Sequence, residues 1–206
     1  MLVDTGVGPP GLWDWMAESE AELPTALDEL GVARDDVDVV FLSHLHIDHV
    51  GWNTDLEGNV FFPRARYVVH ADALAFARTQ ADRPHIRRCV EPLLDHFETV
   101  TGEVELTPGL TAFPALGHYP GHMALRLESD GESALLIADS AVHPALLGRP
   151  EWVYEADGDP AVCAETRRAL LPDMLDRDVL VACGHYPGSG IGRVVTRDGL
   201  VIWTES

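Results

Sequence analysis

Lysine is absent from this chain of 206 residues, and all 14 of its basic side chains are arginines. Catalysis through a lysine Schiff base is therefore excluded. The 34 aspartates and glutamates give a formal net charge of −20. A surface of that sign repels the phosphates of nucleic acids and of anionic membranes, so we expect neither as a partner.

Cysteine is also scarce, since Cys89, Cys163 and Cys183 are widely spaced and form no Cys-x-x-Cys pair. This spacing favours neither a disulfide scaffold nor a thiolate zinc site, and we expect three reduced, buried thiols. The N-terminus lacks a basic segment followed by an apolar run, and no stretch approaches the roughly 20 apolar residues that a spanning helix needs. We predict a cytoplasmic protein.

Low-complexity tracts and linker-like segments are missing too, and hydrophobic residues make up 46% of the chain. Disorder is therefore disfavoured. A chain of this length most simply forms one domain with a sizeable core, so we predict a single domain over residues 1–206.

What the sequence does contain is a concentration of histidines in the stretch 43–51, Ser-His-Leu-His-Ile-Asp-His-Val-Gly. The apolar segment Val37–Leu42 before it predicts a buried strand, which places the histidines at the strand's C-terminal end. Imidazole and carboxylate both suit zinc, iron or manganese. Burying these rings without a common partner would cost on the order of several kcal/mol. We interpret the stretch as a metal site.

The spacing His-x-His-x-Asp-His at 44–49 resembles the signature of the metallo-β-lactamase superfamily of hydrolases, and four other segments resemble further motifs of that superfamily in the expected order. These segments are Leu2–Gly6, Ala115–His122, Leu135–Asp139 and Val181–His185. One departure is Ala138, where the superfamily usually has glycine. The resemblance implies an α/β fold, an αββα sandwich. Met1 stands directly in what looks like an internal strand, so we expect the fold to be short at its N-terminus, with earlier strands or an export signal missing.

The resemblance also implies a ligand set for two divalent metal ions, zinc in first place with iron or manganese as alternatives. One ion would bind His44, His46 and His118, the other Asp48, His49 and His185, with Asp139 bridging. We choose His118 over His122 because His118 lies 21 residues before Asp139, as the resemblance requires. His122, Asp4 and Ser43 are then expected to support the ligands through hydrogen bonds.

The function implied is that of a dinuclear metal-dependent hydrolase, in which a hydroxide shared by the metals attacks a small neutral ester, lactone or phosphotriester. Asp48 would pass a proton to the leaving group. Within the superfamily the chain resembles quorum-quenching N-acyl-homoserine lactonases and, in its second half, methyl parathion hydrolase. Val142 stands where lactonases place a tyrosine. The side chains expected near the substrate are Trp52, His143, Trp152 and Tyr186.

Two other functions stay open at this point. One is an iron-dependent, oxygen-using enzyme of the same fold, similar to a sulfur dioxygenase, and the other is a non-catalytic member that binds metal for structure alone. Related enzymes are commonly dimers, so a homodimer is a further expectation.

Four local predictions depend on periodicity and on turn residues. Asp130-Gly131 predicts a hairpin, and residues 86–97 a helix with His85 and His96 on the surface. Residues 144–152 read as irregular. A helix is predicted from Pro160 to Leu171, with Pro172 ending or kinking it.

Overall fold

Each half of the chain contains its own β-sheet. The computed structural model describes residues 1–16, 23–176 and 179–206. It divides into two units, Met1–Val100 and Thr101–Ser206, with one sheet in each. The single domain expected over residues 1–206 stays a prediction.

The sheet of the first unit is parallel throughout. Its strands, in spatial order, are β1 (Leu2–Val3), β2 (Val39–Leu42), β3 (Arg66–His70) and β4 (Phe97–Val100). Val40, Phe41 and Leu42 of β2 are fully buried, as expected for a strand of a parallel sheet. Because β2 ends at Leu42, the histidine-rich stretch begins at the carboxyl edge of the sheet, where α/β proteins place their sites.

The helices of the first unit are α1 (Leu23–Glu29), α2 (Ala71–Arg78) and α3 (Pro84–Cys89). The helix predicted over residues 86–97 is wrong, since α3 ends at Cys89 and Phe97 begins β4. Pro92 explains the break, because proline has no N–H to donate to the carbonyl four residues before it, and its ring clashes with that carbonyl. Only a 3₁₀ turn, Glu91–Leu93, forms there.

The prediction that His85 and His96 lie on the surface is half right. His96 is exposed, whereas His85 is half-buried. Burial, together with the charge of Arg83, lowers the pKa of His85, while a hydrogen bond to the Leu45 backbone and the charge of Asp48 act in the opposite direction. His85 is therefore a neighbour of the histidine-rich stretch.

The sheet of the second unit has seven strands. Five of its six neighbouring pairs are antiparallel, and one is parallel. In chain order the strands are β5 (Val104–Thr107), β6 (Leu110–Pro114), β7 (Met123–Ser129), β8 (Glu132–Leu136), β9 (Leu180–Ala182), β10 (Ile191–Arg197) and β11 (Leu200–Glu205). Their spatial order is β11-β10-β9-β8-β7-β6-β5. The parallel pair is β8 with β9, which brings the carboxyl ends of these two strands side by side.

The predicted hairpin joins β7 and β8. Asp130 and Gly131 have φ angles of 51° and 84°, the left-handed conformation that a two-residue hairpin turn requires. Asp198 and Gly199 repeat this geometry between β10 and β11, with φ angles of 52° and 75°.

The helices of the second unit are α4 (Ala145–Gly148) and α5 (Pro160–Asp176). The segment 144–152 is not irregular throughout, since it contains a helical turn, α4. Pro172 does not end α5, which continues to Asp176, and a kink at Pro172 stays a prediction. Arg168 and Pro172 are both exposed, so water can satisfy the carbonyl group that proline leaves without its helical partner.

The sheets and helices together confirm the predicted α/β class. Within the described ranges, no helix combines the length and the apolar character needed to cross a bilayer.

Candidate metal centre

The turn after β2 presents a first donor group, which we define as His44, His46, Asp48 and His49. His44 and His49 are buried, and His46 and Asp48 are partly exposed. The Nε2 atom of His44 lies 3.0 Å from Nδ1 of His46. Two imidazole lone pairs at this separation repel each other unless a proton or a metal ion lies between them, so the arrangement suits a shared cation.

Asp4 and Ser43 contact the Nδ1 atoms of His49 and His44, two histidines of this group. The Asp4 carboxylate lies 2.8 Å from Nδ1 of His49 and accepts hydrogen bonds from the Ser43 amide, at 2.7 Å, and hydroxyl, at 2.8 Å. The Ser43 hydroxyl oxygen also lies 3.1 Å from Nδ1 of His44, from which it can accept. These contacts favour a proton on Nδ1 of both rings, the tautomer in which a histidine binds metal through Nε2.

Gly51 packs the turn after β2 closely against the loop that follows β1. Its amide donates to the Gly6 carbonyl at 2.7 Å, and a Cβ at position 51 would lie only 2.0 Å from the Val7 backbone. Any side chain here would push the two loops apart. A glycine after the last histidine is thus required by packing.

The second unit presents a second donor group, which we define as His118, Asp139 and His185. Asp139 follows β8 and His185 follows β9, so the parallel pairing of these strands brings the two side chains together. The Asp139 carboxylate oxygens lie 3.2 Å from Nε2 of His118 and 3.3 Å from Nε2 of His185. A carboxylate between two imidazoles, 3% exposed, can bridge two cations.

Backbone strain accompanies this placement. Ala138, where the superfamily usually has glycine, has a φ of 42°, a conformation that L-residues adopt at a cost of about 1–2 kcal/mol. Asp139 itself has φ −93° and ψ 15°. The strain sits directly beside the carboxylate that the sequence predicts as the bridge.

Behind His118 lie two charged side chains, Asp157 and Arg167. Asp157 Oδ1 is 3.1 Å from Nδ1 of His118, and the Arg167 guanidinium donates to Asp157 Oδ2 at 2.7 Å. Burial alone would raise the pKa of Asp157, but the bonds to His118 and Arg167 lower it to about 2. Burial likewise opposes protonation of His118, while Asp139 and Asp157 raise its pKa above the ordinary value.

Gly117 allows this contact to form. Its φ is 121°, and a Cβ there would lie 2.4 Å from the backbone nitrogen of Cys163 in α5. The chain can pass this close to the helix only without a side chain, and His118 follows immediately.

His122 has a different environment from His118. Its Nδ1 lies 2.7 Å from the Ala115 carbonyl, and its Nε2 accepts from the Asp139 amide at 3.1 Å. Both ring nitrogens thus bond to backbone groups of the second unit. This geometry agrees with the predicted supporting role and holds the Asp139 backbone in place.

The residues expected near a substrate have varied positions. Trp52 is partly exposed and packs on Phe61, His143 is exposed, and Trp152 is 54% exposed. Tyr186 is buried in the hydrophobic core of the second unit, edge-on to Trp203. Their contact with a substrate stays a prediction.

Sequence reasoning did not assign a site role to Asp157 or Arg167. A signal was present, because a buried arginine needs an acidic partner, and the Asp157-x-Asp159 segment directly precedes the helix that carries Arg167. The proximity of His85 to the histidine-rich stretch could not be predicted, because a single histidine in an amphipathic segment forms no ligand motif.

The donor chemistry of both groups fits divalent metal ions. Five imidazoles and two carboxylates supply nitrogen and oxygen ligands of the kind preferred by zinc, iron and manganese. The rings of His44, His49 and His118 have their Nδ1 atoms held by neighbouring groups, which directs Nε2 as donor.

Comparison with known proteins gives the same family as the motifs. The sequence model of the metallo-beta-lactamase superfamily matches residues 1–185. The N-acyl homoserine lactonase AiiB of Agrobacterium fabrum is 29% identical over 170 residues, which are 70% of this chain and 59% of AiiB. The lactonase AiiA of Bacillus thuringiensis subsp. kurstaki is 27% identical over 199 residues, 90% of this chain and 76% of AiiA. The chain thus spans less than two thirds of the length of AiiB.

Solved structures show the same fold. AidC, a dizinc quorum-quenching lactonase in complex with the product N-hexanoyl-L-homoserine, aligns with a TM-score of 0.86 and 21% identity over 99% of this chain and 74% of AidC. The hydrolase AbOPH of the beta-lactamase superfamily aligns with a TM-score of 0.83 and 25% identity over the same shares. The predicted resemblance and fold class are confirmed.

Proposed function

Because the chain belongs to the metallo-β-lactamase superfamily, we propose that it is a dinuclear metal-dependent hydrolase acting on a small neutral ester, lactone or phosphotriester. The observation that carries this proposal is the orientation of the histidines. His44, His49 and His118 each have the Nδ1 atom beside an oxygen atom of the protein, so the Nε2 atom is the metal-binding one.

The ligands follow from the two donor groups and from the family motifs. We assign the first ion to three histidines, and the second ion to an aspartate and two histidines, with a second aspartate shared. In that order the residues are His44, His46 and His118, then Asp48, His49 and His185, and the shared Asp139. Zinc is our first choice, since AidC is a dizinc enzyme, with iron and manganese as alternatives.

Two bound divalent ions would supply water activation and charge stabilisation at neutral pH. The protein's own contribution is to hold the ligands and to move protons. Asp48 is the catalytic candidate, because its side chain is 37% exposed and one carboxylate oxygen lies 3.7 Å from Nε2 of His49. A carboxylate that is partly open can carry a proton to a leaving alkoxide.

The substrate class rests on charge and on the relatives. A net charge of −20 disfavours anionic substrates, so the reacting group is neutral. The curated relatives AiiA and AiiB are named as N-acyl homoserine lactonases, and we therefore place a lactone first among the substrates. We propose that the partly exposed Trp52 and the exposed His143 and Trp152 contact the substrate. Tyr186, also predicted near the substrate, lies in the core of the second unit.

The test is a panel of one aryl ester, one N-acyl lactone and one phosphotriester, assayed on metal-loaded protein with and without chelator. We expect turnover on at least one member, lost on chelation and lost in Asp139→Ala. If the metal-loaded protein turns over no substrate of the panel, the proposed hydrolase activity is contradicted. Oxygen consumption in the same preparation would instead support the iron-dependent alternative.

We also propose that the protein is a homodimer and that it is cytoplasmic. The second half of the chain is proposed to resemble methyl parathion hydrolase more closely than the lactonases.

A further inference from the structure

A buried arginine lies behind His118, which we propose as a metal ligand. Arg167 Nη2 donates to Asp157 Oδ2 at 2.7 Å, and Asp157 Oδ1 lies 3.1 Å from Nδ1 of His118. Arg167 is 1% exposed and Asp157 8%. The three side chains form one continuous hydrogen-bonded series, and its end is the ring whose Nε2 faces Asp139.

Arg167 also holds the backbone beside the shared ligand. Its Nε donates to the carbonyl of Ser140, the residue after Asp139, at 2.8 Å. Its Nη1 donates to the carbonyls of Trp152, at 2.9 Å, and Pro150, at 3.4 Å. Burying a guanidinium is costly unless its donors are satisfied, and here all three nitrogens have acceptors. One side chain thus holds the backbone next to Asp139 and, through Asp157, the ring of His118.

In the described part of the chain, the groups that contact the Asp157 carboxylate are hydrogen-bond donors. Besides His118 and Arg167, the Tyr154 amide donates to it at 3.4 Å and the Cys163 thiol also bonds to it. A carboxylate that is ion-paired with arginine can accept hydrogen bonds and cannot donate one. The hydrogen bond to His118 must therefore come from the ring.

We propose that Arg167 and Asp157 are positioning residues that fix the tautomer of His118, with the proton on Nδ1 and the lone pair on Nε2. The pair thereby directs Nε2, and not Nδ1, to the metal ion. This inference depends on the metal site of the proposed function and is independent of which reaction the site performs.

The substitution Asp157→Asn distinguishes this role from simple structural support. Asparagine has one oxygen and one NH2 group at nearly the same positions. The Arg167 donor requires the oxygen, so the NH2 group would face Nδ1 of His118 and donate to it. The ring proton would then move to Nε2, where it competes with the metal ion.

Two measurements follow on Asp157→Asn. The first is NMR of the ring nitrogens of His118 in metal-free protein at alkaline pH, where the ring is neutral. We expect the ring proton on Nδ1 in the wild type and on Nε2 in the variant. The second is metal affinity by chelator competition, where we expect a loss of roughly 10- to 100-fold for one of the two ions. The control is Asp173→Asn in α5, the helix that carries Arg167, because Asp173 is partly exposed and pairs with Arg126 at 3.7 Å. This variant should change neither the tautomer nor the metal affinity.

Unchanged tautomer and unchanged affinity in folded Asp157→Asn would overturn the proposal, even if the variant were less stable. Should the variant not fold, the wild type still decides, because a neutral His118 ring whose one proton lies on Nε2, in the metal-free protein at alkaline pH, would also overturn it. The outcomes can also separate this inference from the proposed function. If the wild type binds metal, Asp157→Asn binds it more weakly, and the wild type hydrolyses no panel substrate, this inference is supported and the proposed function is contradicted.

Discussion

Asp4 and His49, 45 positions apart in the chain, are joined by a contact of 2.8 Å between a carboxylate oxygen and the ring Nδ1. Asp4 has a φ of 54°, and from this conformation its carboxylate also accepts both the amide and the hydroxyl of Ser43. The residue at the end of β1 thus organises the turn at the end of β2. Parallel pairing of the two strands makes this possible.

Replacing Asp4 by asparagine should weaken metal binding by roughly 10- to 100-fold with the fold retained, because asparagine tolerates the left-handed backbone but loses the charge that holds the His49 ring. Chelator competition measures the affinity. The exposed Asp35 offers the matched control, and Asp35→Asn should leave the affinity unchanged. If Asp4→Asn binds metal with the affinity of the wild type, the proposed role of Asp4 in orienting His49 is contradicted.

His118 and His122 give opposite predictions. His118→Ala should lose one metal ion, whereas His122→Ala should keep both and lower the free energy of unfolding by about 1–3 kcal/mol, because the buried Asp139 amide loses its acceptor. Elemental analysis and urea denaturation measure the two effects. Metal loss in His122→Ala with retention in His118→Ala would show that the ligand assignment is reversed.

The ends of strands and the tight turns could be predicted from local sequence. The apolar residues 40–42 followed at once by histidines mark a buried strand that ends at a polar site, and Asp130-Gly131 supplies the positive φ angles of its hairpin. These features depend on a few adjacent residues, so local sequence is sufficient to specify them.

Long-range partners could not be predicted in this way. Asp157 reaches His118 across 39 positions, a contact that depends on where the start of α5 packs, which no local pattern records. Two helix limits were also misjudged at prolines. The α-helix before Pro92 ends at Cys89 and gives way to a 3₁₀ turn, whereas the exposed Pro172 lies inside an α-helix, because tertiary packing and solvent access decide what a proline does.

The strain at Ala138 predicts a stabilising substitution. Ala138→Gly should raise the free energy of unfolding by about 0.5–1 kcal/mol, since the relief of a left-handed alanine exceeds the added entropy of an unfolded glycine. Ala169, exposed in the middle of α5, is the control, and Ala169→Gly should lower stability by about 1 kcal/mol. Urea denaturation compares the two. A destabilised Ala138→Gly would show that the methyl group matters more than the backbone strain.

The buried thiols predict low reactivity. Burial raises the pKa of Cys89 to about 11, although Thr54 and Arg88 oppose the shift, and burial raises the pKa values of Cys163 and Cys183 to about 12. At pH 8, below these values, all three thiols are neutral and should resist iodoacetamide in the folded protein. Mass spectrometry should find three modified cysteines only after denaturation. Rapid modification of Cys89 in the native protein would contradict its burial.

The metal content of the purified protein tests the central claim most directly. Elemental analysis of wild type, beside Asp139→Ala prepared in the same way, should give close to two transition-metal ions per wild-type chain and fewer in the variant. Fewer than one ion per wild-type chain after reconstitution, or equal content in the two proteins, would contradict a dinuclear centre that shares Asp139.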